Sequence, residues 1–341
     1  MDVVKRTPLN AESPSKALTC AITPTTEIFV RSNFAIPTLT GDAHRLIVTG
    51  AVRHGVDISV SDLRSMRHMC SEVTMTMECA GNNRIGLCPL PSGELWDTGA
   101  VSTSRWTGVP LRVLLERAEL DANAVEILVE GADTGVTSDG STARFGRSLS
   151  IAEATRDEVL LAFAVNGEPL PASHGAPLRL VVPRWYGMAS VKWVTRISAL
   201  AHRYEGFFQR QRYIYDEPGH DPRPVSRIRV KSMTTSPQHG ESVRLGEIEI
   251  TGWAWSGDGP ITRVEVALDG GSTWRDAELS VPESEFAWTR WSLRWEPDHP
   301  GRHAVRSRAT DAAGNTQPDA IMWNRLGYGN NAVRPVVFAV V

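Results

Sequence analysis

The stretch TMECAGNNR, residues 76–84, carries a strand-like run straight into a small polar turn, with Cys79 at the junction. A thiol placed only for packing has apolar neighbours on both sides. Cys79 instead precedes Ala80, Gly81, Asn82, Asn83 and Arg84, which bend the backbone, form hydrogen bonds and bring positive charge. A free thiol with a pKa of about 8.5 is mostly protonated at neutral pH, and nearby cations or a bound metal turn it into a thiolate, a soft ligand. The fold has to be read around that junction.

The chain has 341 residues, enough for two domains and a sizeable core. Its 36 basic and 39 acidic side chains leave a formal net charge of -3, so no overall attraction to nucleic acid or to an anionic membrane is expected. The longest apolar run, PVVFAVV, is too short to span a bilayer. The first twenty residues lack the apolar core of a secretory signal and a twin-arginine pair, which points to the cytoplasm, or to the periplasm if a leader has been trimmed. Cys20, Cys70, Cys79 and Cys88 form no CxxC pair, no zinc-knuckle spacing and no disulfide framework. Cys20, Cys70 and Cys88 are expected to be inert structural thiols.

YDEPGHDPRPVSR, residues 215–227, is rich in proline and charge and marks a linker. Beyond it, GEIEITGWAWSG, ITRVEVALDGGSTW, WTRWSLRWEP and HAVRSRATDAAGN alternate apolar and polar residues and stop at turn residues. This pattern predicts an immunoglobulin-like sandwich over 225–341. Seven of the eleven tryptophans fall there, as expected for a sandwich core and an interface.

The preceding region, 1–220, mixes strands and short helices without strict alternation, so the class is α+β. PLRVLLERAEL spaces Leu111, Leu114, Leu115 and Ala118 as one helix face beginning at Pro110. Ser150 and Glu153 form a capping-box pattern. EVLLAFAVNGEPL predicts a buried strand with an Asn-Gly hairpin turn, LRLVVP a second strand, and SVKWVTRIS a third that alternates Val191, Trp193, Thr195 and Ile197. Trp106, Trp185 and Trp193 are expected to be packing residues.

Several stretches place polar groups where packing does not need them. EIFVRSNFAIP offers Arg31 and Asn33, ELWDTGAVSTSRW offers Trp96, and GFFQRQRYIY offers Tyr213. His174, Arg179 and Lys192 lie close together around a strand and the following loop. Such a trio suits a phosphate: arginine forks onto two oxygens, lysine adds a point charge and histidine a directed donor.

Taken together, ECAGNNR, FVRSNF-IP, AVSTSRWTGVPL, LLAFAVNGEPLPASHGAPLRLVVP, GMASVKW and GWAWSGDGPITRVEVALDGGSTW resemble the sulfite oxidase family of molybdopterin-dependent oxidoreductases, in the family's order. The resemblance implies a molybdopterin-binding domain over 1–220 and a dimerisation domain over 225–341, giving a homodimer. It implies molybdenum held by the Cys79 thiolate and a pyranopterin dithiolene. It places Arg31, Asn33, Asp133, His174, Arg179, Ser190, Val191 and Lys192 around the cofactor. It places Arg31, Arg84, Trp96 and Tyr213 around the substrate. Where the family commonly has Arg-Asn-His, this chain has Arg31, Ser32 and Asn33, so the third contact carries no charge.

The implied activity is oxidation of sulfite to sulfate by oxygen-atom transfer at a Cys79-ligated oxo-molybdenum centre. No haem domain is recognised in this chain, so a cytochrome or a soluble oxidant would take the electrons. Two other readings stand beside it. One is a related molybdenum enzyme acting on nitrate or a sulfoxide. The other is a non-catalytic binding protein whose sandwich is the working part.

Overall fold

Strands bounded by glycine, proline and asparagine turns make up most of the regular structure, and the helices are few and short. The computed structural model describes residues 1–39 and 41–341. Three sheets form before residue 205. The smallest joins β1 (Asp2–Lys5), β2 (Asn10–Glu12) and β3 (Val30–Arg31) in antiparallel order. Next come the hairpin of β4 (Arg45–Gly50) and β5 (Val56–Ser59) and helix α1 (Val60–Ser65), which is capped reciprocally by Ser59 and Asp62.

Strands β6 (Ser71–Glu78) and β7 (Val101–Pro110) pair along the whole of β6 and are followed by α2 (Leu111–Ala118). This helix starts after Pro110 and buries Leu111, Leu114, Leu115 and Ala118, the face its spacing predicts. Then come β8 (Glu126–Val136), β9 (Thr142–Ser150), α3 (Ile151–Ala154), β10 (Leu160–Val165), β11 (Glu168–Pro169), β12 (Arg179–Val181) and β13 (Val194–Leu200). One five-stranded sheet runs β11-β10-β7-β6 with β12 also on β10. The other runs β5-β4-β13-β8-β9, with β13 parallel to β4. The β10–β11 hairpin turns at Asn166 and Gly167, whose φ values of 50° and 80° are those an Asn-Gly turn supplies.

Three local expectations change. Glu153 does not complete a capping box. Its backbone N–H bonds Ser150 Oγ at 3.3 Å, but its carboxylate accepts from Arg227 at 2.8 Å and Trp185 at 3.1 Å, because charged and ring donors outcompete the cap. The alternating strand predicted from Ser190 begins only at Val194, because Trp193 has φ 53°, a left-handed conformation that breaks the run. The linker is ordered: β14 (Ile214–Tyr215) pairs β15 (Arg223–Pro224), and buried Glu217 accepts from Arg223 and Arg229.

Two sheets face each other in the remaining chain. One contains β16 (Lys231–Ser236), β18 (Ile248–Trp255), β21 (Glu278–Leu279) and β22 (Thr289–Trp295). The other contains β17 (Ser242–Val243), β19 (Ile261–Ala267), β20 (Arg275–Asp276), β23 (Gly301–Asp311) and β24 (Val336–Val340). Ile250, Val264, Val266, Trp291, Val305 and Phe338 from both sheets close the core between them.

Only part of the tryptophan set fills that core. Trp253, Trp255 and Trp288 pack into the large core of the preceding region. Their indole N–H groups donate to Leu18 O at 2.8 Å, the Glu78 carboxylate at 2.9 Å and Ala21 O at 2.8 Å. The sandwich is therefore clamped onto the strand that delivers Cys79. Among the described residues, no helix is long and apolar enough to cross a membrane.

The clamp centres on Glu78, the last residue of β6. Its carboxylate accepts from Lys231 Nζ at 2.8 Å, Asn82 Nδ2 at 2.9 Å and the Trp255 indole, all buried. Removing one partner of a buried ion pair leaves an uncompensated charge and costs about 3–5 kcal/mol. Lys231→Met is therefore expected to lower the urea midpoint markedly, with part of the loss recovered in Glu78→Gln/Lys231→Met. A Lys231→Met midpoint equal to wild type would show that this pair does not hold the two regions together.

Candidate active site

β6 ends at Glu78, and the chain then turns through Cys79 to Arg84. The Cys79 N–H donates to Ala100 O at 2.9 Å, and the Asn82 N–H donates to Cys79 O at 2.9 Å. Asn82 also accepts the Ala100 N–H through Oδ1 at 3.2 Å, so one side chain ties Glu78 to the start of β7. Asn83 takes φ 63°, which asparagine tolerates. Gly81 is needed because a Cβ there would lie 2.6 Å from the Arg84 guanidinium. The polar composition of the turn thus fixes where the Cys79 thiol sits.

Cys79 is the one buried cysteine; Cys70 is half-buried, and Cys20 and Cys88 are exposed rather than structural core thiols. It lines a cavity together with Arg31, Asn33, Asp133, His174, Arg179, Ser190, Lys192 and Tyr213. These residues come from β3, β8, β12 and the turns around 172–174, 187–192 and 208–213, so folding converges what the chain separates. Gly175, at φ 107°, permits the convergence: a Cβ there would sit 3.0 Å from Lys192 Cβ and 3.2 Å from Arg179 Cβ. The left-handed Trp193 then turns Lys192 inward, where Nζ bonds Ser173 O at 2.8 Å and Ser32 Oγ at 3.0 Å.

The cavity carries buried positive groups with few acceptors. Among the described residues Arg179 donates only to His174 O at 3.3 Å and to the Met77 sulfur at 3.0 Å, its Nε has no hydrogen-bond partner, and its guanidinium lies over the Trp106 ring. Burial pulls its pKa down to about 9. Burial also drives Lys192 well below the ordinary lysine range, with Arg179 adding to the effect and Asp133 opposing it. His174 falls to about 3 through burial and the nearby Arg179 and Lys192. Asp133 rises to about 6 through burial, and among the described residues its Oδ1 has no hydrogen-bond partner. A multiply charged oxygen-bearing group would supply the missing acceptors and restore the charged forms.

Around Cys79 a second set forms. Arg31 lies on β3, aligned by Asn10, whose Oδ1 accepts from Arg31 at 3.3 Å and from the Ser32 N–H at 2.8 Å. Asn33 links Arg31 (2.8 Å) to the Tyr213 hydroxyl (3.2 Å). Burial lowers the Arg31 pKa, but Tyr213, Glu94 and Cys79 outweigh it and keep the guanidinium charged. Burial pushes the Cys79 thiol up, while Arg31 and Arg84 pull it down. A cation bound to the sulfur would reverse the upward push. Among the described residues, no group of three or more His, Cys, Asp or Glu side chains is placed to hold a metal ion. A metal here would take Cys79 as its protein ligand and the rest of its sphere from a cofactor.

Three expected site residues lie outside the cavity lining. Arg84 is buried beside it, donating to Leu326 O at 3.0 and 3.2 Å and to Glu94 O at 2.7 Å, with its guanidinium over the Tyr328 ring. One carbonyl from the same loop and one from a distant segment, invisible in local sequence, occupy those donors. Trp96 is wholly buried in the apolar cluster that includes Ile28, Phe29 and Met77. Val191 is buried, and its carbonyl accepts from Leu180 N at 2.8 Å. Conversely, Phe29, Met77 and Phe145 line the cavity without having been singled out, as do Ser32, noted only as a departure from the family pattern, and Trp193, expected only to pack. For Met77 the signal was its position two residues before Cys79; for Trp193 there was none beyond its adjacency to Lys192.

Residues 33–208 match the oxidoreductase molybdopterin-binding domain, and 223–339 match the Mo-co oxidoreductase dimerisation domain. The chain belongs to the sulfite oxidase family of molybdopterin oxidoreductases. Rat mitochondrial sulfite oxidase is 36% identical over 359 residues, covering 98% of this chain and 64% of the rat protein. Barley nitrate reductase [NAD(P)H] is 32% identical, covering 95% of this chain and 40% of that protein. The chain thus spans less than two thirds of the length of these relatives. The sulfane dehydrogenase SoxCD of Paracoccus pantotrophus has the same fold, with a TM-score of 0.84, 32% identity, and coverage of 97% of this chain and 84% of that one. The family's cofactor, a molybdenum-bearing molybdopterin, is what the anion-starved cavity around Cys79 fits.

His174 gives the cavity a pH signature in the cofactor-free protein. Its folded pKa is depressed, so below pH 6.5 the unfolded chain binds a proton that the folded chain refuses. Its contribution therefore makes stability fall as pH drops from 6.5 towards 3, by up to about 1.4 kcal/mol per pH unit. In urea unfolding across that range, His174→Gln is expected to lose stability less steeply than wild type, a difference in which Asp133 cancels. Parallel curves would show that His174 is not held neutral.

Proposed function

We propose that this chain oxidises sulfite to sulfate as a molybdenum-dependent oxidoreductase and passes the electrons to a separate acceptor, a cytochrome or a soluble oxidant. The observation that carries the reading is one cavity in which the Cys79 thiol meets both an oxyanion-sized set (Arg31, Asn33, Tyr213) and a phosphate-sized set (His174, Arg179, Lys192). Relatives named for sulfite, and a structural relative named for sulfane sulfur, keep the substrate on the sulfur side.

Sulfite and water give sulfate, two protons and two electrons. When bound, the cofactor supplies the two-electron oxygen-atom transfer chemistry that no side chain can perform. Cys79 would hold the metal as a thiolate. His174, Arg179 and Lys192 would hold the pterin phosphate, Asp133, Ser190 and Asn33 would offer polar contacts to the pterin, and Val191, whose backbone N–H and carbonyl already pair with Ala189 and Leu180, would fix the run between Ser190 and Lys192. Arg31 binds the incoming anion, and in a partly dry cavity that attraction exceeds its value in water. The Tyr213 hydroxyl, already within reach of Asn33, donates to the anion and can pass a proton outward. Arg84 acts from outside the lining, through the Glu94 and Leu326 carbonyls, and Trp96 fixes the wall behind Phe29 and Met77. Residues 225–341 form the immunoglobulin-like dimerisation unit, and 1–220 the catalytic unit.

A second reading, reduction of nitrate, is favoured only by the nitrate reductase relatives. Anaerobic addition of sulfite to the oxidised holoenzyme separates the two. Spectroscopic reduction of the metal is expected with sulfite, and Cys79→Ser is expected to abolish it while light scattering still reports a dimer. Reoxidation by nitrate without reduction by sulfite, or full turnover by Cys79→Ser, would overturn the proposal.

A further inference from the structure

Behind Arg31 lies a carboxylate that the proposed reaction does not use. Glu94 sits in the loop between Cys79 and β7, with its side chain mostly buried. Its backbone is pinned: Glu94 O accepts from Arg84 Nη1 at 2.7 Å and from Trp96 N at 3.0 Å. Gly93, at φ 117°, allows this turn, since a Cβ there would crowd the Arg84 guanidinium at 3.1 Å. The carboxylate is thereby aimed at two cations on the small sheet, Arg31 Nη2 at 3.5 Å and Lys5 Nζ at 3.5 Å. The register explains the pairing: Lys5 and Arg31 both lie opposite Asn10, one on each side of β2. Arg212, next to Tyr213, adds a third positive charge acting on Glu94.

We propose that Glu94 is a specificity-determining residue: its carboxylate, shared between Lys5 and Arg31, competes with an anion in the cavity for the Arg31 guanidinium and so sets oxyanion affinity. The inference rests on the reading of Arg31 as the anion-binding residue. It gives Arg84 a role as well, that of a positioning residue which reaches the site by fixing Glu94. It also makes the effect of Lys5 opposite in sign to that of Glu94. Lys5 draws the carboxylate outward, so its loss leaves Glu94 to Arg31, the one cation still paired with it, with Arg212 acting only from farther off.

The test is calorimetric titration of sodium sulfate into the oxidised holoenzyme at constant ionic strength, comparing wild type, Glu94→Gln, Lys5→Met and Arg31→Met, with thermal unfolding as a folding control. Glu94→Gln is expected to bind sulfate about tenfold more tightly, because the neutral amide frees the guanidinium, and Lys5→Met several-fold more weakly. Arg31→Met is expected to lose the binding heat. Equal affinities in wild type, Glu94→Gln and Lys5→Met overturn the proposal, as does tighter binding by Lys5→Met. Binding heat that survives in Arg31→Met, or no heat from any of the four proteins, overturns it too. Sulfate is not turned over, so the titration reads Glu94 even if sulfite proves to be the wrong substrate.

Discussion

Buried positive charge needs a counter-charge, and the cavity around Cys79 collects more of the first than it provides of the second. Arg179 is buried and Lys192 half-buried, with two carbonyls, a thioether and a hydroxyl as their main partners. In a low-dielectric interior such groups are costly unless an anion joins them. Much of the surrounding structure serves that arrangement. Gly175 lets three strand and turn segments approach, Trp193 adopts a left-handed backbone to turn Lys192 inward, and Asn10 aligns Arg31. A phosphate-bearing cofactor relieves the charge imbalance, so cofactor binding and local stability are one problem rather than two.

The second constraint is mechanical. Cys79 follows Glu78, and Glu78 is held by Lys231 and Trp255 from the sandwich. The chain near 326–330 returns to the same place, with Gly329 N donating to Ala80 O at 2.7 Å and Asn330 Nδ2 to Asn83 O at 2.8 Å. The sandwich is thus part of what positions the thiol. It also supplies Tyr328, whose ring lies 5.3 Å from that of Tyr213 and whose hydroxyl is pushed up to about 12 by burial. A dimerisation domain that packs against Tyr213 and Arg84 gives assembly a route to influence chemistry.

Much of this was legible in the sequence, and the limits have physical causes. Period-two alternation located β18, β19, β22 and β23, helical spacing located α2, and the Asn-Gly pair located the β10–β11 turn, because each depends on neighbours in the chain. The cavity residues Arg31, Asn33, Cys79, Asp133, His174, Arg179, Ser190, Lys192 and Tyr213 were legible through motif resemblance. Arg84 lies outside the lining because its guanidinium is captured by the carbonyls of Glu94 and of Leu326, the latter far along the chain. The roles of Trp253 and Trp288 were unreadable for the same reason, since their partners are at residues 18 and 21. Trp193 broke an apparently regular alternation because tertiary contacts hold its backbone in a conformation its type disfavours. Glu94 opens the stretch ELWDTGAVSTSRW but nothing in that stretch marks it; its contacts with Lys5 and Arg31, brought together by the small sheet, reveal it.

The central claim is that the sulfur of Cys79 is bonded to molybdenum. X-ray absorption at the molybdenum edge, comparing wild type with cofactor-loaded Cys79→Ser, tests it most directly. The variant is expected to lose one sulfur from the metal's first coordination shell while the remaining sulfur scattering persists. An identical sulfur shell in the two proteins would contradict it.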